Sequence, residues 1–354
     1  MNIAIITSSL AATGPGFVAQ ELANNFSFEG HNVIFVTLSQ TNGDKILLGD
    51  KISIYELNSS NGRLDNHIKS TIQKLISDHQ LDVIISNGIR SDYFNSKINN
   101  PGLLKVSISH NNPFQDYPQH YGFLKGYIMA LLQFYQFRKL NLVITLNPTL
   151  HKLHKRLIGK KKVHLVMNGV PDDIYTSNMD KSTKHIFGNV GVFNHRKNQE
   201  FIIKTLAEED IIFWGDGPLK LDLKTKYSNK NITWMGFEGD KHKIFSSFEI
   251  YISASKSEGM PLSVLEAISA GKPLLLSKIP AHEFITQFLP LNTYYLFSNK
   301  SELKDGFIFF EHNKNEIVGM SKQIRNSYLR YFTSKQMAKN YLILFEQKMK
   351  LGDK

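Results

Sequence analysis

The chain has 354 residues, no cysteine and a formal net charge of +11. It is long enough for two domains with separate cores, and the lack of cysteine excludes a disulfide framework and thiolate catalysis. The charge is uneven, because residues 117–171 contain no Asp or Glu. A basic span of this kind favours an anionic partner: a phosphorylated substrate, a nucleic acid, or the anionic lipid of a cytoplasmic leaflet.

The sequence carries no targeting or membrane-spanning signal. The first residues lack a basic n-region, and no apolar run is long enough to cross a bilayer. We therefore expect a cytoplasmic protein, with peripheral attachment to the inner face of the cell membrane as a further hypothesis. The histidines are scattered, so we predict no metal site and no cofactor, and no recognised module predicts a nucleic-acid partner.

The first half alternates strand and helix patterns, which is typical of βαβ units. Strands are predicted at 2–7, 32–38, 52–57, 82–86, 103–109, 141–145 and 163–166, and helices from the first loop to about 29, at 64–79 and at 148–158. Gly14, Gly16 and Ala19 formally match a dinucleotide fingerprint. The loop before them is long and no acidic residue ends the second strand. A glycine-rich loop facing a cleft is therefore favoured over the dinucleotide site of a nicotinamide oxidoreductase, and a plain flexible turn stays open as an alternative.

Two further features lie in this half. His110 follows the strand at 103–109, and ligands bind at the carboxyl ends of strands in open parallel sheets; a substrate contact and a structural role are both open. Residues 117–140 read as one helix, in which Phe123, Tyr127, Leu131, Phe134 and Phe137 recur at helical spacing. This helix is either a core helix of the first domain or one that lies on a membrane surface.

The second half repeats the alternation of strands and helices after a polar, irregular segment at 172–184. Strands are predicted at 185–192, 210–214, 231–235, 249–253 and 273–276, and helices at 199–207, at 244–248 and from Ser334 to Met349. The sequence thus predicts two domains. The first covers 1–167 together with the C-terminal helix at about 334–354, and the second covers 168–333.

Residues 257–267 combine an anion site with two carboxylates. Pro261 suits the first position of a helix, and the backbone N–H groups of Met260, Leu262 and Ser263 would then lie unpaired at the positive end of its dipole. Glu258 precedes this turn and Glu266 follows it. The arrangement suits a ligand with phosphate in the middle and hydroxyls at both ends, such as a nucleotide-diphosphate sugar.

Together these motifs resemble glycosyltransferase family 4. The Glu-x7-Glu motif from Glu258 to Glu266, Ala-Gly-Lys-Pro at 270–273, Gly-Asp-Gly-Pro at 215–218 and Asn-Gly-Val at 168–170 carry the resemblance. The family implies a GT-B fold, an α/β architecture of two Rossmann-like domains that face a central cleft, with a C-terminal helix that crosses back to the N-terminal domain. It also implies a retaining, metal-independent transfer from a nucleotide-diphosphate sugar.

The resemblance also implies residue roles. Glu266 would hold the ribose hydroxyls, Glu258 the donor sugar, and Lys197 the diphosphate, while His110 would lie by the sugar. The catalytic candidates are Glu258, His110 and Lys197. The donor-binding candidates are Gly14, Gly16, Arg196, Lys197, Gly236, Phe237, Glu258, Gly259, Met260, Pro261, Leu262, Ser263 and Glu266.

One departure from the family concerns residue 192. Val192 stands where the family has a diphosphate-binding Arg, and Arg196 is a candidate substitute in the same loop. The leading hypothesis is a transferase that uses a UDP-sugar and a lipid-linked or cell-envelope glycan. The alternatives are a catalytically weak GT-B partner subunit of another transferase, and transfer to a protein or a soluble acceptor.

Overall fold

The computed structural model describes residues 1–41, 43–59, 66–175, 185–206, 208–228 and 231–352. The chain divides into two compact units. The first unit is Met1–Asn168 with Ser334–Lys354, and the second unit is Gly169–Thr333. The sequence analysis predicted a boundary between residues 167 and 168, one residue before this one.

The first unit is built on a parallel sheet. Seven strands of its described part pair in the order β3-β2-β1-β4-β5-β6-β7. The strands are β1 Asn2–Thr7, β2 Asn32–Thr37, β3 Ser53–Glu56, β4 Val83–Asn87, β5 Leu104–Ser109, β6 Leu142–Thr145 and β7 Val163–Leu165. The helices between them are α1 Gly14–Phe28, α2 Asn66–Asp78, α3 Ile89–Lys97, α4 Pro113–Tyr121, α5 Phe123–Arg138 and α6 Pro148–Ile158. The central strands are buried along their length, as expected for a parallel sheet covered on both faces.

The second unit repeats this plan. Its described strands are also parallel and pair in the order β10-β9-β8-β11-β12-β13. They are β8 His185–Val190, β9 Ile211–Trp214, β10 Ile232–Trp234, β11 Phe248–Ser253, β12 Leu274–Ser277 and β13 Tyr294–Phe297. The helices are α7 Gln199–Thr205, α8 Lys220–Lys226, α9 Lys241–Ser246, α10 Leu262–Ser269, α11 Pro280–Thr286, α12 Lys300–His312 and α13 Ile317–Tyr331.

Both sheets reverse their strand order at a switch point, which lies between β1 and β4 in the first unit and between β8 and β11 in the second. Ligands of doubly wound folds bind beyond the carboxyl ends of the strands at such a point. The predicted α/β class with two Rossmann-like units is confirmed. The loops that carry most of the candidate residues follow the strands on either side of these switch points.

The last helix, α14 Ser334–Gly352, belongs to the first unit. Its Tyr341 and Phe345 are fully buried, and the Phe345 ring lies 6.2 Å from that of Phe26 on α1. Asn25 Nδ2 donates a hydrogen bond of 3.3 Å to Ser334 Oγ at the start of the helix. These contacts tie the end of the chain to its beginning.

The prediction of one helix at 117–140 is wrong. The segment forms α4 and α5, separated by Gly122 at φ +80°, a conformation that glycine adopts without strain. The two helices pack closely at Gly126, where a Cβ atom would lie 2.3 Å from the backbone nitrogen of Pro118. The predicted apolar stripe is also divided, because its last two members, Phe134 and Phe137, are buried and the others are exposed.

Other boundaries differ by less. The helix predicted at 244–248 is α9 at Lys241–Ser246, and Phe248 instead begins β11. Helices α3 and α12 were not predicted, because their apolar residues give no clear amphipathic pattern. Helix α13 was also missed, although Ile317, Met320, Ile324 and Tyr328 recur along it at helical spacing. The predicted helix start at Leu64, the helix end at Ala207 and most of the irregular segment, 176–184, lie outside the described residues.

Candidate functional site

Two loops of the second unit meet at its switch point, one after β8 and one after β11. The backbone N–H of Lys256 donates to the carbonyl of Arg196 at 2.8 Å, and Asn198 Nδ2 donates to the carbonyl of Ala254 at 3.2 Å. Arg196 Nη1 also donates to the carbonyl of Ser257 at 3.1 Å. The loop that carries Arg196 and Lys197 is therefore fixed against the loop that carries Glu258.

The Gly-Asp-Gly-Pro motif packs under the first of these loops. A Cβ atom on Gly215 would lie 2.3 Å from the carbonyl oxygen of Gly191, and one on Gly217 would lie 2.6 Å from the backbone of Phe193. Both glycines also have positive φ, +129° and +155°. Backbone approach this close excludes any side chain at either position, so these glycines allow the loops to pack against each other.

Glu258 pairs with two cations from the neighbouring loop. Its Oε1 lies 2.9 Å from Lys197 Nζ, and its Oε2 contacts Arg196 Nη1. The side chain of Glu258 is only 6% exposed. Burial would raise the pKa of Glu258, but the charges of Lys197 and Arg196 outweigh that effect and lower the pKa to about 2. This cation cluster, Arg196, Lys197 and Glu258, contains two positive charges and one negative charge.

His282 of α11 lies near the same carboxylate and is fully buried. Its Nδ1 is 2.8 Å from the carbonyl oxygen of Ser277, and a carbonyl only accepts, so the proton is on Nδ1. Burial lowers the pKa of His282 to about 4, so the ring is neutral at pH 7. Its Nε2 has no hydrogen-bond partner in the part of the chain that the structure describes.

Helix α10 begins directly after this cluster. Pro261 is the N-cap, with φ −71° and ψ 120°, so the predicted helix start at Pro261 is one residue early. Val264 and Leu265 donate their N–H groups to the Pro261 carbonyl at 3.2 and 3.3 Å. The N–H groups of Leu262 and Ser263 precede the first intrahelical bonds and lie at the positive end of the helix dipole.

Glu266 lies one turn into α10. Its Oε1 is 3.2 Å from Lys241 Nζ on α9, and its side chain is 13% exposed. The turn at Gly236 and Phe237 is close to Asp216, whose Oδ2 accepts the Phe237 N–H at 3.1 Å. Lys220 in turn pairs with Asp216 at 2.9 Å. The second unit therefore brings Arg196, Lys197 and Glu258 into direct contact and places Glu266 on the helix that follows.

The first unit has a smaller polar group at its own switch point. His110, after β5, contacts Asn87 Oδ1 through Nε2, and Asn87 Nδ2 donates to the carbonyl of Pro15 at 2.7 Å. Because the Asn87 amide donates to a carbonyl, its Oδ1 must accept, which places the proton of His110 on Nε2 and a lone pair on Nδ1. Burial lowers the pKa of His110 to about 4. The glycine-rich loop and His110 are thus connected through Asn87.

Gly16 has a structural reason to be glycine. A Cβ atom there would lie 2.3 Å from the carbonyl oxygen of Ala11, whereas Gly14 has open space around it. Thr13, the N-cap of α1, accepts the Gly16 N–H at 3.3 Å. Gly16 therefore closes the loop before α1, and Gly14 is the glycine that leaves room for a ligand.

The sequence analysis missed Asn87, Asp216 and Lys241, which contact the candidates, and His282, which is buried near Glu258. Asn87 and Asp216 did carry a signal, because each follows a predicted strand beside a glycine. Lys241 and His282 carried none, since their positions depend on the packing of α9 and α11. In the described ranges, no three His, Asp or Glu residues are close enough to hold a metal ion.

Comparison with protein-family models gives one match. Residues 173–327, nearly the whole second unit, match the family described as "Glycosyl transferases group 1". The match covers the cation cluster and the Glu258 to Glu266 motif. Resemblance to glycosyltransferase family 4 itself stays a prediction.

Some similar proteins cover nearly the whole chain and others only part of it. The O-antigen biosynthesis glycosyltransferase WclY of Escherichia coli is 25% identical over 96% of this chain and 97% of its own length. A UDP-Gal:alpha-D-GlcNAc-diphosphoundecaprenol alpha-1,3-galactosyltransferase of Escherichia coli is 28% identical over 34% of this chain and 38% of its own. The structure of Alr3699/HepE of Anabaena in complex with UDP and glucose superposes with a TM-score of 0.76, at 13% identity, over 98% of this chain and 99% of that one. The predicted GT-B fold class is confirmed by this likeness.

Proposed function

Because this chain is a glycosyltransferase, we propose that it moves a sugar from a UDP-sugar to a hydroxyl of a glycan acceptor of the O-antigen kind. The observation that carries the donor assignment is the cation cluster beside the start of α10. Two cations and a helix N-terminus together form a site for a diphosphate. A similar structure that was solved with UDP and glucose supports the choice of nucleotide.

In this proposal the diphosphate lies against Arg196, Lys197 and the N–H groups that begin α10. Glu266 accepts hydrogen bonds from both ribose hydroxyls, since a carboxylate has two oxygens that accept. Glu258 contacts the hydroxyls of the donor sugar. Lys241 holds the carboxylate of Glu266 in position, because its amine is 3.2 Å from Oε1.

The proposed reaction retains the configuration at the anomeric carbon. The bond from this carbon to the diphosphate oxygen breaks and its electron pair goes to the diphosphate. The acceptor oxygen bonds to the anomeric carbon, and the proton of the acceptor hydroxyl passes to the departing diphosphate. Arg196 and Lys197 stabilise the negative charge as it develops, without a metal ion; one such fixed donor can contribute about 3–4 kcal/mol.

The acceptor is proposed to be a lipid-linked glycan. The relatives named for O-antigen biosynthesis and for transfer to a diphosphoundecaprenol-linked sugar support this class. On the first unit, His110 presents the Nδ1 lone pair inferred from its contact with Asn87. We propose that this nitrogen accepts a hydrogen bond from a sugar hydroxyl.

The donor assignment is tested with Glu266→Ala. Hydrogen bonds to a charged group contribute about 1.5–3 kcal/mol each, so we expect UDP binding, measured by calorimetry, to weaken about tenfold or more. Glu209→Ala is the matched control, because Glu209 is a partly buried carboxylate of the same unit that the proposed site does not use. Unchanged UDP affinity in Glu266→Ala would refute the assignment.

A second experiment tests the donor sugar and the role of metal. A panel of UDP- and GDP-sugars is assayed for hydrolysis, once in EDTA and once with added metal. The panel identifies the donor, and the rate should be the same in both conditions. A wild-type chain that binds none of them would support a partner subunit without turnover.

A further inference from the structure

One face of α5 is apolar, aromatic and exposed. Seven large side chains on it are between 39% and 76% exposed, and they recur at helical spacing along its length: Phe123, Leu124, Tyr127, Ile128, Leu131, Leu132 and Tyr135. We call this set the exposed α5 face. Single apolar residues on a surface are normal, but a contiguous set of this size marks an interaction site.

The orientation of α5 is fixed by its opposite face. Phe134 and Phe137 are buried against His154 of α6, with ring centroids 4.9 and 5.5 Å from that ring. Gln133 donates to Asp92 of α3 at 2.8 Å and accepts from Tyr117 of α4 at 2.6 Å. The exposed α5 face therefore cannot turn inward without breaking a buried polar network.

A basic cluster adjoins the C-terminal end of this face. Arg138 and Lys139 end the helix and are exposed, as are Lys160 and Lys161 in the short helical turn that follows α6. Lys162 Nζ donates to the carbonyl of Arg138 at 2.6 Å, which fixes this lysine-rich turn beside the end of α5. Because residues 117–171 contain no Asp or Glu, none of these charges is neutralised from within the segment.

We propose that the exposed α5 face binds an anionic bilayer surface, with α5 lying in the plane of the interface. Aromatic and aliphatic side chains would enter the headgroup region, and the basic cluster would contact anionic headgroups. A helix of this length is about 24 Å long. No helix in the described part of the chain is long and apolar enough to cross a membrane, which agrees with attachment from one side.

The charges favour lipid over the other occupants. A second copy of the chain would bring the same basic segment to the interface, and that segment offers no carboxylate to pair with it. Nucleic acid would meet the charge but not the seven apolar side chains. An anionic bilayer matches both features, because its headgroups are negative and its interior is apolar.

The test is co-sedimentation with vesicles of phosphatidylcholine alone and of phosphatidylcholine with about one third phosphatidylglycerol, because anionic headgroups attract basic residues near the surface. We expect binding to the anionic vesicles that weakens with salt. The triple variant Phe123→Ser, Leu124→Ser, Leu131→Ser should lower the bound fraction about tenfold, since three inserting side chains are lost. The double variant Lys160→Gln, Lys161→Gln should lower it less and reduce its salt dependence.

The controls match each change in chemistry and exposure. Phe28, Leu221 and Leu291 are 79%, 74% and 84% exposed and lie elsewhere, so their triple Ser variant should bind like the wild type. Lys51→Gln with Lys74→Gln is the charge control. UDP binding should be equal in all variants, which separates this inference from the proposed function. The proposal would be overturned by equal binding to neutral and anionic vesicles, or by no vesicle binding. It would also be overturned if the wild type were a dimer that only the variant Phe123→Ser, Leu124→Ser, Leu131→Ser converts to a monomer.

Discussion

The side chain of Arg196 contacts Glu258, whereas residue 192 in the same loop is a half-exposed valine. Two hydrogen bonds to the neighbouring loop fix the position of Arg196. Its carbonyl accepts the Lys256 N–H, and its guanidinium donates to the Ser257 carbonyl. A fixed guanidinium presents several donors in one plane, which suits a phosphate. The cluster thus contains two cations although residue 192 supplies none.

Glu258→Gln should affect binding and transfer in opposite directions. The carboxylate is ionised at neutral pH because its pKa is about 2, and it partly neutralises the two cations that would hold the diphosphate. We expect UDP, which has no sugar, to bind at least as tightly to Glu258→Gln, whereas kcat/KM for the UDP-sugar falls. Calorimetry with UDP and a transfer or hydrolysis assay measure the two effects.

A thermal unfolding curve is the control for this variant, since the removal of one partner from a buried ion pair can destabilise the fold. Weaker binding of UDP to a variant that is still folded would contradict the proposed role of the cations. Unchanged kcat/KM would contradict the proposed contact between Glu258 and the sugar.

At the scale of elements, Asp92 organises the helices around α5. It is fully buried on α3, where Oδ1 accepts from Ser86 at 2.7 Å and from Ser107 at 2.6 Å, and Oδ2 accepts from Gln133. Burial raises the pKa of Asp92 to about 6, and these hydrogen bonds offset only part of that rise. One carboxyl group therefore connects two strands with two helices.

The raised pKa predicts how stability depends on pH. The folded protein binds this proton more tightly than the unfolded chain, so the contribution of Asp92 is fully present below about pH 4 and is lost as pH rises through about 6. Asp92→Asn removes this dependence. When the pH rises from 5 to 7, wild type should therefore lose about 1 kcal/mol of its free energy of unfolding relative to Asp92→Asn.

Urea denaturation at the two pH values measures this difference. Asp78→Asn, at an exposed position on α2, is the control and should show no such change. A stability difference between Asp92→Asn and wild type that is the same at both pH values would show that the carboxyl group does not titrate in this range.

The sequence predicted those parts of the site that depend on local chemistry. Glu258 and Glu266 were recognised because they flank a predicted helix start, and the glycines of 215–217 because, with that pair, they resemble the motifs of a known family. The network around Asp92 could not be predicted, because it joins residues that are far apart in the chain and lie on four elements. The split between α4 and α5 was missed for a different reason: Gly122 fits within a helical pattern as well as at its end, and only packing decides between them.

At the scale of the whole molecule, the two sheets share a strand order but differ in the charge of the candidate residues beside them. The second sheet carries the charged cluster of Arg196, Lys197 and Glu258, and the first carries the neutral His110 with Asn87. The repeated plan was predictable because both halves alternate buried strand runs with helices. The distribution of charge between them follows from side chains that a strand pattern does not reveal.

Removal of residues 334–354 should destabilise the first unit and leave the second folded. Tyr341 and Phe345 of α14 are fully buried, and each large side chain contributes about 1.5–3 kcal/mol on burial. Calorimetric scanning should show the loss of one transition, and UDP binding by the second unit should persist. Loss of both transitions together would show that the units do not unfold independently.

The contact between α14 and α1 also determines which unit can finish folding first during synthesis. The second unit is continuous in sequence, whereas the first needs both ends of the chain. At roughly 5–20 residues per second, the ribosome adds the second unit for several seconds or longer while the first stays unfinished. During that interval the apolar face of α1 around Phe26 lacks its final cover, and a nascent chain at this stage would be a natural client for chaperones.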